Sequence, residues 1–360
     1  MTFRRVHLLA ALLAVLLTLS QAACGDEGDG KAGANGFTVG LLLPSRSLPR
    51  WEHSDKPLIE QRVKELCPHC TLEYANAADD VARQRAQIDS MITKGVKVLI
   101  LDAADTKAVR SSVREARAAG VPVVAYDRLA EGPISGFVSF DGGEVGRLQG
   151  EALLHAMRTA KARQIVLLNG DPTSPNAAWY RQGALSVLAG KVRIGKAYDT
   201  QGWSTENAHA HMSAAIAALG PNGIDGVLSA NDAMAAGAIA ALKSAGVTAL
   251  PPVTGQDADL DAVRRIVKGE QYMTVYKPFR TEAAEAAELA VELGRGHDLR
   301  TVAPTTTDSP TTRNIPTALL TPRAVTKDNI EQTLVKDHVY TIDQICGGLR
   351  TACARIGLTS

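Results

Sequence analysis

The sequence predicts an α/β protein built as two Rossmann-like lobes with parallel sheets, and two observations carry that expectation. From Phe37 onward, short apolar runs alternate with longer amphipathic segments, the signature of βαβ units. The chain is also 360 residues long, more than a single hydrophobic core usually organises. In the first series, strands are expected at 37–43, 71–76, 96–101, 121–126 and 136–140, with helices at 55–66, 80–94 and 106–119. The last of these helices carries Ala108, Val109, Val113 and Ala116 at helical spacing and ends at Gly120. In the second series, strands are expected at 165–169, 192–198, 226–229, 253–255 and 271–275. Its helices fall at 143–160, 176–189, 204–219, 231–245 and 258–268. Right-handed crossovers make each series a doubly wound half. The strand C-termini of the two halves then face one another across a cleft, where open α/β sheets bind ligands.

The first two dozen residues belong to neither lobe. Arg4 and Arg5 precede an apolar run from Val6 to Leu19, and small residues lead into Cys24. That is an export signal, too short to span a bilayer. Ala22 and Ala23 before Cys24 resemble a lipobox, whose cysteine is lipidated and becomes the new N-terminus. Gln21 stands where an aliphatic residue is usual, so cleavage after Ala22 is the alternative. Residues 25–36, rich in Gly, Ala and acids, read as a flexible tether. The expected location is extracytoplasmic, on the outer face of the cytoplasmic membrane through Cys24, or the periplasm where an outer membrane exists.

A net charge of +1 with no long basic run argues against a nucleic-acid surface. No second apolar stretch is long enough to cross a membrane. The cysteines after Cys24 form two local pairs, Cys67 with Cys70 and Cys346 with Cys353. Export permits disulfides, and local pairing is expected, with cross-pairing as the alternative. A zinc site is disfavoured by the distance between the pairs. A thioredoxin-type role for Cys67-Pro68-His69-Cys70 is disfavoured because the motif lies between a helix and a strand.

Polar residues cluster where strand after strand ends: Asp127-Arg128, Asp141, Asn231-Asp232 and Gln256-Asp257, with Trp51 and Trp203 in similar loops. Any one of the acids reads equally as a helix N-cap; the recurrence points to a ligand. A neutral sugar offers a ring of hydroxyls around apolar C–H faces. Arg, Asp and Asn match the first and indole the second. The enzyme readings find little support. There is no GxSxG elbow or Walker loop, and His209 and His211, two apart on a helix, cannot share a face. A glycosidase pair made of Asp127 with Asp257 or Asp141 is set against Arg128 and Lys277, which would keep the acids ionised. No catalytic residue, metal or cofactor is expected.

Several segments resemble the sugar-binding family of periplasmic proteins that includes the xylose-, ribose- and galactose-binding proteins. They are Gly95–Ile100, Ala125–Arg128, Val138–Asp141, Ser229–Ala233, Gly255–Asp259 and Met273–Pro278. The resemblance spans about residues 37–340. It implies the type I periplasmic-binding-protein fold, and with it a domain plan: 37–140 plus about 278–306 in the N-terminal lobe, 141–277 plus about 318–345 in the C-terminal lobe, and 346–360 as an extension bracing the latter. It also implies a site. Arg50, Trp51, Asp127 and Arg128 would contact the sugar from one lobe, Asn176, Trp203, Asn231 and Asp257 from the other, and Lys277 from the hinge side. Asp141 falls at the first crossover and joins this candidate set. The two indoles would stack on opposite sugar faces. Pro44-Ser45-Arg46-Ser47 departs from the family, which usually carries acids there. The implied function is that of a monomeric importer component. It captures a monosaccharide, D-xylose above others, and delivers it to an ABC permease driven by a cytoplasmic ATPase. The alternative partner is a membrane sensor kinase. A related repressor architecture requires an N-terminal helix-turn-helix, and here that position holds an export signal.

Overall fold

The first strand explains how the core is laid down: in β1 (Thr38–Leu43), Val39 and Leu41–Leu43 are all buried, with no alternation between faces. Such a strand lies inside a sheet covered on both sides. The computed structural model describes residues 36–160 and 163–359, and the export signal, Cys24 and nearly all of the expected tether lie outside them. Around β1 the first sheet assembles β2 (Thr71–Asn76), β3 (Val98–Leu101), β4 (Val123–Tyr126) and β5 (Gly136–Phe140), joined late in the chain by β10 (Thr305–Thr307) and β11 (Ile315–Leu320). Its order is β10-β11-β5-β4-β3-β1-β2, parallel except for β10. Helices α1 (Lys56–Leu66), α2 (Val81–Thr93) and α3 (Arg110–Ala118) provide its crossovers.

The second sheet starts with β6 (Gln164–Asn169), β7 (Arg193–Asp199) and β8 (Gly226–Ser229), all parallel. The strand expected at 253–255 forms only a single bridge, Val227 to Val253. Pro251 and Pro252 precede it and supply no N–H to a ladder. The segment is nonetheless stitched to β9 (Met273–Tyr276), since the Tyr272 N–H donates to Val253 O at 2.9 Å and the Val275 N–H to Gly255 O at 3.1 Å. An antiparallel strand, β12 (Arg323–Thr326), closes the edge against β9.

The chain passes between the lobes three times: from β5 into α4 (Gly142–Ala156), from β9 into α9 (Phe279–Gly294), and from β11 into β12. The last passage corrects the expected boundary. Residues 318–320 pair in register with Val138, Ser139 and Phe140 and so belong to the first sheet. The Asp141 N–H donates to Leu320 O at 2.9 Å, so the first and third passages run side by side. The C-terminal tail forms α10 (Ile342–Cys346) and α11 (Arg350–Arg355), both packed on α8 (Leu260–Lys268). The sulfurs of Cys67 and Cys70 lie side by side, as do those of Cys346 and Cys353.

One helix pair sets the position of the site in the second lobe. Gly142, Gly146 and Gly150 recur every fourth residue along α4 and so share one face. That face lies against α5 (Pro175–Leu188): a Cβ on Gly146 would stand 1.9 Å from Tyr180 O, and one on Gly150 2.9 Å from Ala184 O. α5 answers with Gly183, whose Cβ would stand 2.0 Å from Gly143 O. Bare backbone on both sides lets the helices touch, and α5 carries Asn176 and Tyr180 into the cleft. Gly146→Ala is expected to force the pair apart and cost about 1–3 kcal/mol of stability, read from urea unfolding midpoints against the unmodified protein.

Candidate functional site

The site grows from the loops after the strands. The β1 loop is fixed from below: the Ser45 and Ser47 hydroxyls donate to Asp79 Oδ2 at 2.9 and 3.0 Å, and Asn76 Nδ2 donates to Ser45 O at 2.9 Å. Ser45 and Ser47 are therefore scaffolding, and the residues that line the cavity from this loop are Leu48, Arg50 and Trp51. In the first lobe Asp127 follows β4 with φ 55°, its N–H donating to Val138 O of the next strand at 2.9 Å. Its counterpart in the second lobe is Asp257, with φ 98° and its N–H on Val275 O, also at 2.9 Å. Each lobe thus turns one aspartate into the cleft by the same left-handed backbone step.

Helix starts place the next residues. Asn231 caps α7 (Asp232–Ser244), the next helix after α6 (Thr205–Leu219), its Oδ1 accepting from the Met234 N–H at 2.9 Å. Asn176 stands in the first turn of α5 and reaches across the lobes, Nδ2 donating to Asp127 Oδ1 at 2.7 Å. Trp203 is set by two glycines. Gly202 takes φ 65° while its N–H donates to Asp171 Oδ2 at 2.6 Å. Gly170 leaves room for the ring, since a Cβ there would stand 2.0 Å from the indole Cη2.

The result is a small cavity between the lobes. Of the candidate residues, Arg50, Trp51, Asp127, Arg128, Asn176, Trp203, Asn231, Asp257 and Lys277 all line it. Asp141 does not. It is exposed, and its Oδ1 accepts from the Glu144 N–H at 3.0 Å as the N-cap of α4. Four wall residues lie outside that candidate set: Leu48, Ser174, Tyr180 and Gln256. Tyr180 follows Asn176 by one helical turn and Gln256 adjoins Asp257, so both were within reach of spacing. Ser174 ends an irregular loop and offers no such signal.

The charges form one buried cluster. Arg50 Nη1 is 2.7 Å from Asp127 Oδ2 and 3.8 Å from Asp257 Oδ1. Lys277 Nζ is 2.8 Å from Asp257 Oδ1 and 3.7 Å from Asp127 Oδ2. Burial alone would raise the pKa of Asp127, but Arg50, Lys277 and Arg128 outweigh it and hold the value at about 2. Lys277 is likewise opposed by burial and kept charged by Asp257. An acid held so low is no proton donor at neutral pH, which removes Asp127 as a glycosidase acid. Arg128 donates to Ala103 O at 3.0 Å, with Asp102 3.5 Å from its Nε.

Several buried polar atoms of the wall lack a protein hydrogen-bond partner: Trp51 Nε1, Ser174 Oγ, Asn176 Oδ1, Trp203 Nε1 and Gln256 Oε1. Buried polar groups are rarely left so. Here donors and acceptors line one cavity together with two indoles, a surface matched to a ring of hydroxyls.

Comparison with known proteins follows this geometry. A family model described as a periplasmic binding protein domain matches residues 39–298. The D-xylose-binding periplasmic protein of Escherichia coli is 36% identical over 315 residues, covering 86% of this chain and 92% of the relative. A multiple sugar-binding periplasmic receptor of Rhizobium radiobacter is 30% identical over 357 residues, covering 93% and 97%. Among solved structures, an ABC transporter solute-binding protein of Clostridium phytofermentans with bound β-D-glucose superposes with a TM-score of 0.75 at 29% identity. That match covers 86% of this chain and 99% of the other.

The pKa of Asp127 sets a pH window. Its folded value of about 2 lies below the ordinary carboxylate value near 4, so its stabilisation is complete above about pH 4 and lost as pH falls toward 2. The loss is expected to be on the order of 2 kcal/mol. Thermal unfolding midpoints between pH 6 and pH 2 should show this step in the unmodified protein and a diminished one in Asp127→Asn.

Proposed function

This chain belongs to the periplasmic binding protein family, and from that premise we propose that it is the extracytoplasmic sugar-binding component of an ABC importer. It captures a monosaccharide between its lobes, D-xylose above other sugars, and hands it to a membrane permease. It binds its ligand and does no chemistry on it. One observation carries this reading: unpartnered buried donors and acceptors and two indole rings share one interlobe cavity among charged groups already neutralised by one another. A neutral polyol satisfies such a wall without adding charge to it.

Each residue then has a role. The free indole N–H groups, Gln256, Asn176 and Ser174 take sugar hydroxyls, and Asp127, Asp257, Arg50, Arg128 and Lys277 supply charge-assisted bonds of about 1.5–3 kcal/mol each. Asn231 offers its amide nitrogen, its oxygen being spent on α7. Trp203 and the face of Trp51 not covered by Arg50 hold the apolar sides of the ring. The two lobes close over the sugar about the three chain passages, and the closed monomer is the form that docks. The two cysteine pairs act as structural disulfides, in keeping with export. Cys24 is the lipid attachment point that keeps the protein at the outer face of the cytoplasmic membrane, with the residues before Phe37 as its tether.

Three measurements test this. Residues 31–360, titrated with pentoses and hexoses while tryptophan fluorescence is followed, should respond to D-xylose at lower concentration than to the others. Trp203→Ala should bind at least about tenfold more weakly with its fold intact. A flat response to D-xylose removes it as the ligand, and unchanged affinity removes Trp203 from the site. For the anchor, Cys24→Ser should move the protein from the membrane fraction to the soluble one.

A further inference from the structure

Arg50 is held from three separate parts of its own lobe. Its Nε donates to Asp55 Oδ2 at 3.2 Å, its Nη1 to Asp127 Oδ2 at 2.7 Å, and its Nη2 to both Asp55 Oδ1 at 2.8 Å and Glu282 Oε2 at 3.0 Å. A guanidinium has five N–H groups, so these bonds leave one Nη1 hydrogen for the cavity. Its two faces are covered as well, by the Trp51 ring at 4.0 Å and the Phe279 ring at 4.1 Å. Phe279 and Glu282 both come from the first turn of α9, the helix that begins where the chain returns from the second lobe. Three residues apart on a helix, they share a face, and that face is turned onto Arg50.

A first-turn acid would serve the helix dipole just as well at the surface. Glu282 is instead fully buried, with Oε1 lacking a partner, so its placement needs another reason. We infer that Glu282 is a positioning residue: through Nη2 it fixes the guanidinium plane of Arg50, and so ties the geometry of the sugar site to the second passage between the lobes. Without it Nη2 keeps one acceptor, and the plane can swing toward Asp257, carrying the ligand-facing Nη1 with it. The inference rests on the sugar-binding reading for its functional consequence, though not for the contact itself.

The test is a double-mutant cycle. Glu282→Met preserves volume and removes the acceptor, and Glu282→Gln keeps an acceptor without charge. With D-xylose as the probe, Glu282→Met should weaken binding about tenfold, as loss of a charge-assisted bond implies, and Glu282→Gln should recover most of that loss. In an Arg50→Lys background, Glu282→Met should change affinity by no more than about threefold, because its effect passes through Arg50. A second readout needs no sugar. The Arg50 Nε–H resonance, assigned by its disappearance in Arg50→Lys, should exchange with solvent at least about tenfold faster in Glu282→Met, reporting local opening of the clamp. Unfolding midpoints accompany every variant, and Glu282→Gln carries the comparison if Glu282→Met does not fold. Additive losses in the cycle, or an unchanged Nε–H exchange rate, overturn the inference. An unmodified protein that takes up no sugar overturns the functional reading instead, and the resonance then decides the positioning role alone.

Discussion

A guanidinium buried without water must find acceptors for nearly all of its hydrogens, and the arrangement around Arg50 follows from that requirement. Asp55, Asp127 and Glu282 converge on it from the helix after the first loop, the end of β4 and the start of α9. Three carboxylates around one cation would repel each other, and Lys277 and Arg128 offset the charge of Asp127. Burial pushes the pKa of Glu282 and of Asp102 well above the usual carboxylate range, while Asp127, closest to the cations, goes the other way. Acids of one kind, a few ångströms apart, are thereby separated into a permanently ionised group facing the cavity and reluctantly ionised groups behind it. Tyr126 extends the network outward by donating to Asp55. Breaking such a cluster by removing one partner is far costlier than its net contribution, because a lone buried charge remains.

The site is also the meeting point of two similar halves. Asp127 and Asp257 leave their strands by the same positive-φ step with the same backbone bond to the following strand. Beyond those following strands the chain changes lobes, into α4 on one side and through Lys277 into α9 on the other. The two passages were put to different use. At the first, Asp141 faces solvent and caps a helix. At the second, Lys277, Phe279 and Glu282 all touch the buried cluster.

Much of this was legible in the sequence, for identifiable reasons. The strands β1, β3, β4 and β6 are largely apolar runs, and sheets buried on both faces demand them. The cleft residues stood out because polar groups recur where those runs stop. Register and strand order left no such trace. β11 and β12 went unseen because Pro316 and a threonine-rich approach mask a strand whose pairing is tertiary. Asp141 was misplaced because a capping aspartate and a ligand aspartate look alike at the end of a strand. Nothing in the sequence sets Asp55 and Glu282 apart from the chain's other acids. Only the folded chain shows that both point at the same buried guanidinium.

Trp203 shows how far the shape of a site can depend on what is missing. Its indole occupies the volume that a side chain at position 170 would fill, and Gly170 has no side chain that could bond a ligand. A ranking of residues by contact with a bound molecule would pass over it. Specificity here is cast like a mould, with part of its contour drawn by an omitted methyl group, so the mutational map of recognition extends to positions with no side chain to offer a sugar.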